Sequence, residues 1–191
     1  MTRGLAAALT LAIATPAAGQ EAVVDQARGL RMAGNLDGSE RMLADFLRRN
    51  PSHYRAHYNL GLVFEARAVR APPGRQRSAL YRQAASHLER ALQVRGKAEA
   101  DYTIYNSLGV MYLGVPDLGA AEKAFSTGLQ NQSRLSSGSR AKLYSNVGYL
   151  FALKGDMPRS EAMLRQAAAL GSAPAASNLS KLERAGLVKR P

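Results

Sequence analysis

Three stretches of the chain share one spacing: an aromatic residue or His, then Leu-Gly or Val-Gly, then an aromatic residue three positions after the Gly. They are His57, Leu60-Gly61 and Phe64; Tyr105, Leu108-Gly109 and Tyr112; and Tyr144, Val147-Gly148 and Phe151. In the second and third stretches the residue twelve positions after the Gly is small. Ala121 is followed by Phe125, Gly128 and Leu129, and Ser160 by Leu164, Ala167 and Ala168. A period of this length describes a stack of helical hairpins, each burying its apolar face against the next, rather than a globule closed around one cleft. The Gly and the later small residue fall where two antiparallel helices cross, and a missing side chain there lets the backbones approach. Asp117 and Gly155-Asp156 lie where each hairpin must turn, which suits residues that end one helix and start the next.

This pattern resembles the tetratricopeptide family, whose signature is W-x2-L-G-x2-Y, then A-x3-F, then Pro within about 34 residues. The resemblance implies an all-α, right-handed solenoid of antiparallel hairpins with a C-terminal capping helix. The copies divide the chain into a degenerate hairpin at 20–53, hairpins at 54–98, 102–135 and 141–174, and a capping helix with a basic tail at 175–191. In the first copy Ala27, Gly34-Asn35, Ser39, Leu43 and Pro51 match, but no Leu-Gly pair precedes them. The segment Asn178-Leu179-Ser180-Lys181-Leu182 begins like another first helix and stops at Gly186 without a partner.

Gly61 and Gly109 are 48 residues apart, and Gly109 and Gly148 are 39 apart, so the chain carries 14 and 5 residues beyond the period. About eleven of the first excess fall at 69–79 around Ala71-Pro72-Pro73-Gly74, because the second-helix pattern resumes only at Ala84, Leu88, Ala91 and Leu92. The remainder falls near Glu99 to Asp101, and the second excess is the run Ser136-Ser137-Gly138-Ser139. Such insertions are expected to form loops.

Arg3, the apolar run Leu5 to Ala14 and the small residues Pro16-Ala17-Ala18-Gly19 have the layout of a secretory signal at 1–19, with cleavage expected after Gly19. The run is shorter than the roughly 20 apolar residues needed to span a bilayer. No later segment is expected to cross a membrane. The absence of Cys excludes a lipid-modified N-terminal Cys and disulfides, leaving stability to packing. A soluble periplasmic protein is the simplest expectation.

The chain has 26 basic and 14 acidic residues, a net charge of +12, or +11 once Arg3 leaves with the signal. Basic chains favour acidic partners; export argues against nucleic acid as the partner. Around the insertion Arg67, Arg70, Arg75, Arg77, Arg82, Arg90, Arg95 and Lys97 face only Glu65 and Glu89 in the local sequence. Arg67, Arg70, Arg75 and Arg77 therefore form a candidate basic patch for an acidic surface, the competing reading being an Arg-rich composition simply solvated.

Catalytic constellations are sparse. His53 and His57 have the i, i+4 spacing of paired metal ligands, but no third ligand is evident, and helix capping by His53 and packing by His57 explain both. His87 is expected on the exposed side of its helix. Ser139-Arg140-Ala141-Lys142 has the spacing of a Ser-x-x-Lys nucleophile, yet it lies at a helix start where Ser is a natural N-cap. No Gly-rich phosphate loop follows a strand. No catalytic residue, metal or cofactor is expected.

The resemblance implies a concave groove lined by the first helix of each hairpin. Carried over copy by copy, it assigns Arg55, Tyr58, Asn59 and Leu62; Asn106, Val110 and Leu113; and Lys142, Ser145, Asn146 and Tyr149. Asn both donates to and accepts from a peptide backbone, Tyr offers rigid contact area with a polar tip, and Arg or Lys receives a carboxylate. The competing reading is that Asn59 and Asn146 only order neighbouring helices. The full carboxylate-clamp pattern of chaperone-binding family members is absent. The expected function is a non-enzymatic adaptor or scaffold in an envelope assembly, with an extended peptide or a helix in the groove. Exported family members also assist pilus or secretin assembly or hold apocytochromes, and a periplasmic hydrolase is the remote alternative.

Overall fold

The computed structural model describes residues 16–95 and 103–188, and the described chain is helical throughout. The order is α1 (Pro16–Met32), α2 (Leu36–Arg49), α3 (Tyr54–Arg70), α4 (Arg75–Arg95), α5 (Thr103–Gly114), α6 (Leu118–Gln130), α7 (Ser137–Leu153), α8 (Met157–Ala169) and α9 (Ala173–Arg184). Each helix packs on its neighbour in sequence, most extensively within the pairs α1–α2, α3–α4, α5–α6 and α7–α8. The result is the expected solenoid of hairpins, with α9 laid against α8 as its cap. The expected signal region up to residue 15, the Glu99 to Asp101 insertion and the tail Lys189-Arg190 lie outside the described residues.

The crossing rule has a direct physical basis. A Cβ on Gly61 would meet Leu88 Cδ2 at 3.0 Å and the Ala84 carbonyl at 3.1 Å; one on Gly148 would meet Leu164 Cγ at 2.8 Å. One on Gly109 would overlap the Phe125 ring. Across each crossing the later residue is fully buried, as Ser39, Ala84, Ala121 and Ser160 all are. The two serines add a bond that their size alone does not announce: Ser39 Oγ donates to the Ala27 carbonyl and Ser160 Oγ to the Gly148 carbonyl, each at 2.8 Å. These hydroxyls satisfy themselves against the facing helix, which makes a buried polar group tolerable.

Turns follow the local chemistry. Gly34 and Gly155 take positive φ, +84° and +77°, where a side chain would be strained. Asn35, Asp117 and Asp156 then cap α2, α6 and α8, accepting from the amides of Gly38, Ala120 and Arg159. His53 caps α3 through Nδ1, accepting from the Ala56 amide at 3.3 Å. The cap of α7 is Ser136, which accepts from the Ser139 amide; Ser139 lies within the first turn, three residues later than a cap would sit. That corrects the expectation for Ser139 and turns most of the polar run 136–139 from loop into helix.

The 69–79 insertion is likewise not a loop. Helix α3 runs nine residues past Gly61, where α1, α5 and α7 run five past Ala27, Gly109 and Gly148. Helix α4 begins nine residues before Ala84, where α2, α6 and α8 begin three before their crossing residues. Only 71–74, one residue longer than the turns inside the other hairpins, is left outside helix. Apart from Val69 and Ser78 the extra residues are Arg, Gln, Ala and Leu, good helix formers, and the run is broken only at Pro72-Pro73-Gly74. The second hairpin therefore projects about 6 Å or more beyond its neighbours, at 1.5 Å per added residue. Arg77 Nε closes its tip by donating to the Ala71 carbonyl at 2.8 Å. Tyr81 anchors the extension sideways, its ring filling the space a side chain on Gly114 would need.

Burial is divided rather than central. Val24, Leu43, Phe46, Leu60 and Val63 pack α1–α3; Leu88, Ile104, Leu108 and Met111 join α4 to α5. Phe125, Leu143, Val147 and Leu150 join α6 to α7, and Leu164, Ala167, Ala175 and Leu179 seat α9. Each hairpin packs within itself and against its neighbours in sequence, as in a repeat stack.

The concave groove as candidate functional site

First helices line one face. Helix α1 packs beside α3 and α5 beside α7, whereas α3 and α5 make little contact and leave a depression between them. Three depressions join along this face. The first, about 340 Å³, is lined by Arg28, Arg31, Tyr54, Arg55, Tyr58, Asn59, Leu62 and Arg95. The second, about 280 Å³, shares Tyr58 and adds Thr103, Asn106, Ser107, Leu135, Ser139 and Lys142. The third, about 370 Å³, shares Asn106, Ser107 and Lys142 and adds Glu65, Val110, Ser145, Asn146, Ser172 and Pro174. Shared walls make these one continuous groove.

Of the residues assigned from the sequence, Arg55, Tyr58, Asn59, Leu62, Asn106, Val110, Lys142, Ser145 and Asn146 lie together on this face. Leu113 does not: it is half-buried and packs into the α5–α7 core. Tyr149 is 51% exposed and lines none of the three depressions.

The two asparagine amides are committed within the protein. Asn59 is buried, and its Nδ2 donates to the Arg55 carbonyl one turn back at 2.8 Å. Asn146 Nδ2 donates to Asn106 Oδ1 at 2.9 Å, tying α7 to α5. Their donors thus serve helix order first, and Asn106 keeps its own amide nitrogen for another partner. Arg55 is also engaged, pairing with Glu21 and, at 2.8 Å, with Asp25 on α1.

The sequence reading missed the contribution of the first hairpin. Arg28 follows Ala27 as Leu62 follows Gly61 and Val110 follows Gly109, and Arg31 and Glu65 each stand four residues after the crossing residue. The signal was the offset from Ala27, hidden because no Leu-Gly pair marks that copy. Glu65 is the acidic member of the groove. Burial raises its pKa above the usual carboxylate range, partly offset by the nearby Arg31 guanidinium.

Within the basic patch one arginine is ion-paired and two donate to backbone carbonyls, which leave their charge in place. Arg67 bridges to Asp37 and, at 2.7 Å, to Glu40 on α2. Arg70 donates to the Gly34 carbonyl at 3.3 Å, and Arg77 to Ala71 as described. Of the four, Arg75 is exposed and stands outside these contacts. The partners of Arg67 and Arg70 come from the preceding hairpin, about thirty residues upstream, so local charge counting overlooked them.

His87 is corrected as well. It lies inside the second hairpin, its ring stacked on Phe64 at 5.5 Å between centroids, and its Nδ1 stands 3.3 Å from His57 Nδ1. His57 Nε2 faces the Pro51 carbonyl at 3.0 Å, and a carbonyl only accepts, so Nε2 carries the proton. Neutral His57 then accepts at Nδ1 from His87. Burial lowers both pKa values, and the His57 ring adds to the effect at His87, which falls to about 4. Among the described residues no group of three or more His, Cys, Asp or Glu is arranged to hold a metal ion.

A sequence model of the tetratricopeptide repeat matches residues 24–71, which span the C-terminal half of α1, all of α2 and all of α3. No curated protein matches the chain in sequence. Among solved structures, the chain resembles pilF of Pseudomonas aeruginosa at 15% identity, covering 87% of this chain and 68% of that one with a TM-score of 0.71. It also resembles a thermophilic tetratricopeptide protein of Thermus thermophilus at 18% identity over 88% and 81% of the two chains, TM-score 0.66. MamA from Desulfovibrio magneticus RS-1 matches at 19% identity over 87% and 76%, TM-score 0.59. At these identities the likeness establishes the fold alone. With the repeat match within the first three helices and the same crossing recurring at Gly109 with Ala121 and Gly148 with Ser160, the chain has the fold of tetratricopeptide-repeat proteins and resembles them in sequence over 24–71.

Proposed function

We propose that this protein is a non-enzymatic periplasmic adaptor that holds an extended polypeptide of an envelope assembly along its concave groove. The observation that carries the reading is the continuity of the groove, in which depressions share Tyr58, then Asn106, Ser107 and Lys142. A peptide backbone needs donors and acceptors at intervals, and this surface offers hydroxyl, amide, phenol and ammonium groups on successive helices. Tyr58 stands at the junction of two depressions, where an aromatic anchor contributes most to binding.

The export part of the proposal rests on Arg3, the apolar run Leu5 to Ala14 and the small residues before Gln20. Cleavage after Gly19 shortens α1 but keeps Gln20, whose Nε2 donates to Asn50 Oδ1 at 3.1 Å. The first hairpin is therefore still tied at that end in the shortened chain.

A photocrosslinking residue placed at Ser107 in the groove, compared with one at the exposed Gln83 on α4, tests the binding surface in intact cells. Discrete protein adducts from position 107, weakened by Tyr58→Ala and absent from position 83, are expected. Equal labelling from both positions sinks the groove. Mass spectrometry of the recovered chain tests export: a start at or near Gln20 in a soluble envelope fraction is expected, and an intact Met1 in the cytoplasm overturns it.

A further inference from the structure

We infer that the end of the groove between α1, α3 and α4 receives an acidic side chain of an extended peptide. The inference rests on the groove reading above and names the ligand chemistry of one part of it.

Four arginines and two tyrosines converge there: Arg28, Arg31, Arg55, Arg95, Tyr54 and Tyr58. Arg55 is already neutralised by Glu21 and Asp25. The other three form no ion pair among the described residues. Arg95 Cζ lies over the Tyr54 ring, 4.2 Å from its centroid, a cation–π contact that holds the guanidinium at this depression. Arg31 is half-buried, and its Nε is shielded from solvent with no hydrogen-bond partner. A buried, unpaired donor on a cation is costly, and a carboxylate arriving from outside is the acceptor that best removes that cost.

The surroundings select among anions. Glu21 and Asp25 on α1 and Glu65 on α3 stand on or beside the same face. Three carboxylates along the path repel a continuous polyanion such as a nucleic acid strand, while a single acidic side chain meets only the arginines. A C-terminal carboxylate is served less well, because the Asn59 amide beside this depression is spent on the Arg55 carbonyl. The Tyr54 and Tyr58 rings supply walls for the aliphatic stem of Glu or Asp.

The test is selection of a random heptapeptide library, N-acetylated and C-amidated, by the full chain, with an oligouridylate and a free-C-terminus library as parallel arms. The expected pool is enriched in Asp and Glu, and a recovered Glu peptide binds about tenfold or more tighter than its Gln counterpart. Arg31→Gln and Arg95→Gln lose that preference yet keep the wild-type circular dichroism and the affinity for the Gln peptide. A pool enriched without acidic preference overturns this inference and leaves the groove reading intact. Binding that requires a free C-terminus, whatever the side chains, also overturns it. Oligouridylate retained in preference to every peptide, or enrichment unaffected by Tyr58→Ala, overturns both readings.

Discussion

The Phe125 ring on α6 occupies the space where a side chain on Gly109 of α5 would lie, all three nearest atoms to an added Cβ being atoms of that ring. This ring, fully buried in the α5–α7 core, sets how closely the third hairpin closes. Gly109→Ala forces the ring or the helix to shift and is expected to cost about 1 to 3 kcal/mol. Gly119→Ala on α6, whose nearest neighbour is Asp117 Oδ1 at 3.7 Å, is expected to be neutral or stabilising by up to about 1 kcal/mol. Thermal melts of the two variants give the order, and the reverse order refutes the crossing assignment.

The crossing serines are expected to act through their hydroxyls. Ser39→Ala and Ser160→Ala fill almost the same volume but remove the bonds to the Ala27 and Gly148 carbonyls. Each should lower stability by about 0.5 to 1.5 kcal/mol in urea titrations with unchanged slope. Wild-type midpoints for both would show that only smallness matters at these positions.

Acid should weaken the second hairpin through its imidazole pair. The unfolded chain titrates its histidines near 6.5, while folded His87 titrates at about 4 and folded His57 below its ordinary value. Arg90 and His53 add to the depression at His57. Between those values the unfolded chain binds protons that the folded chain does not. This contribution to stability is complete above pH 6.5 and is lost as pH falls toward 4. His87→Phe removes one titrating group while keeping a ring against Phe64. The fall in melting temperature from about pH 7.5 to about pH 5 should be smaller in this variant than in the wild type, and equal falls would show the pair to be indifferent to pH.

Groove residues should separate into structural and free. Asn59→Ala deletes a buried hydrogen bond and is expected to cost about 1 kcal/mol of folding stability, whereas Tyr149→Ala removes a half-exposed ring and should change it by less than about 0.5 kcal/mol. Melting curves that rank Tyr149 above Asn59 would contradict the burial of the two side chains.

Among the insertion arginines, Arg67→Ala is expected to cost about 0.5 to 1 kcal/mol by cutting the link from α3 to Asp37 and Glu40. Arg75→Ser should be silent. Raising salt should narrow the difference, since both side chains reach solvent; a salt-independent gap would point to packing rather than charge.

The sequence alone determined the architecture, because a hairpin repeat is written in nearest-neighbour terms. Gly61, Gly109 and Gly148 mark crossings, Asp117 and Asp156 mark helix starts, and each such mark concerns residues only a turn or a hairpin away. It also placed nine groove residues on one face, since helical periodicity fixes which side chains point together. What only the tertiary structure decided depends on partners one hairpin or more away. Arg67 is neutralised by Asp37 and Glu40, His87 meets His57, and Asn146 is spent on Asn106; none of these pairings has a local signature. The insertion became helix because lengthening two packed helices keeps its backbone hydrogen-bonded, which Pro72-Pro73-Gly74, read as a loop signal, concealed. The arginine pocket emerged only when α1, α3 and the end of α4 were brought side by side, where repulsion, burial and counter-charge are set by space rather than by order along the chain.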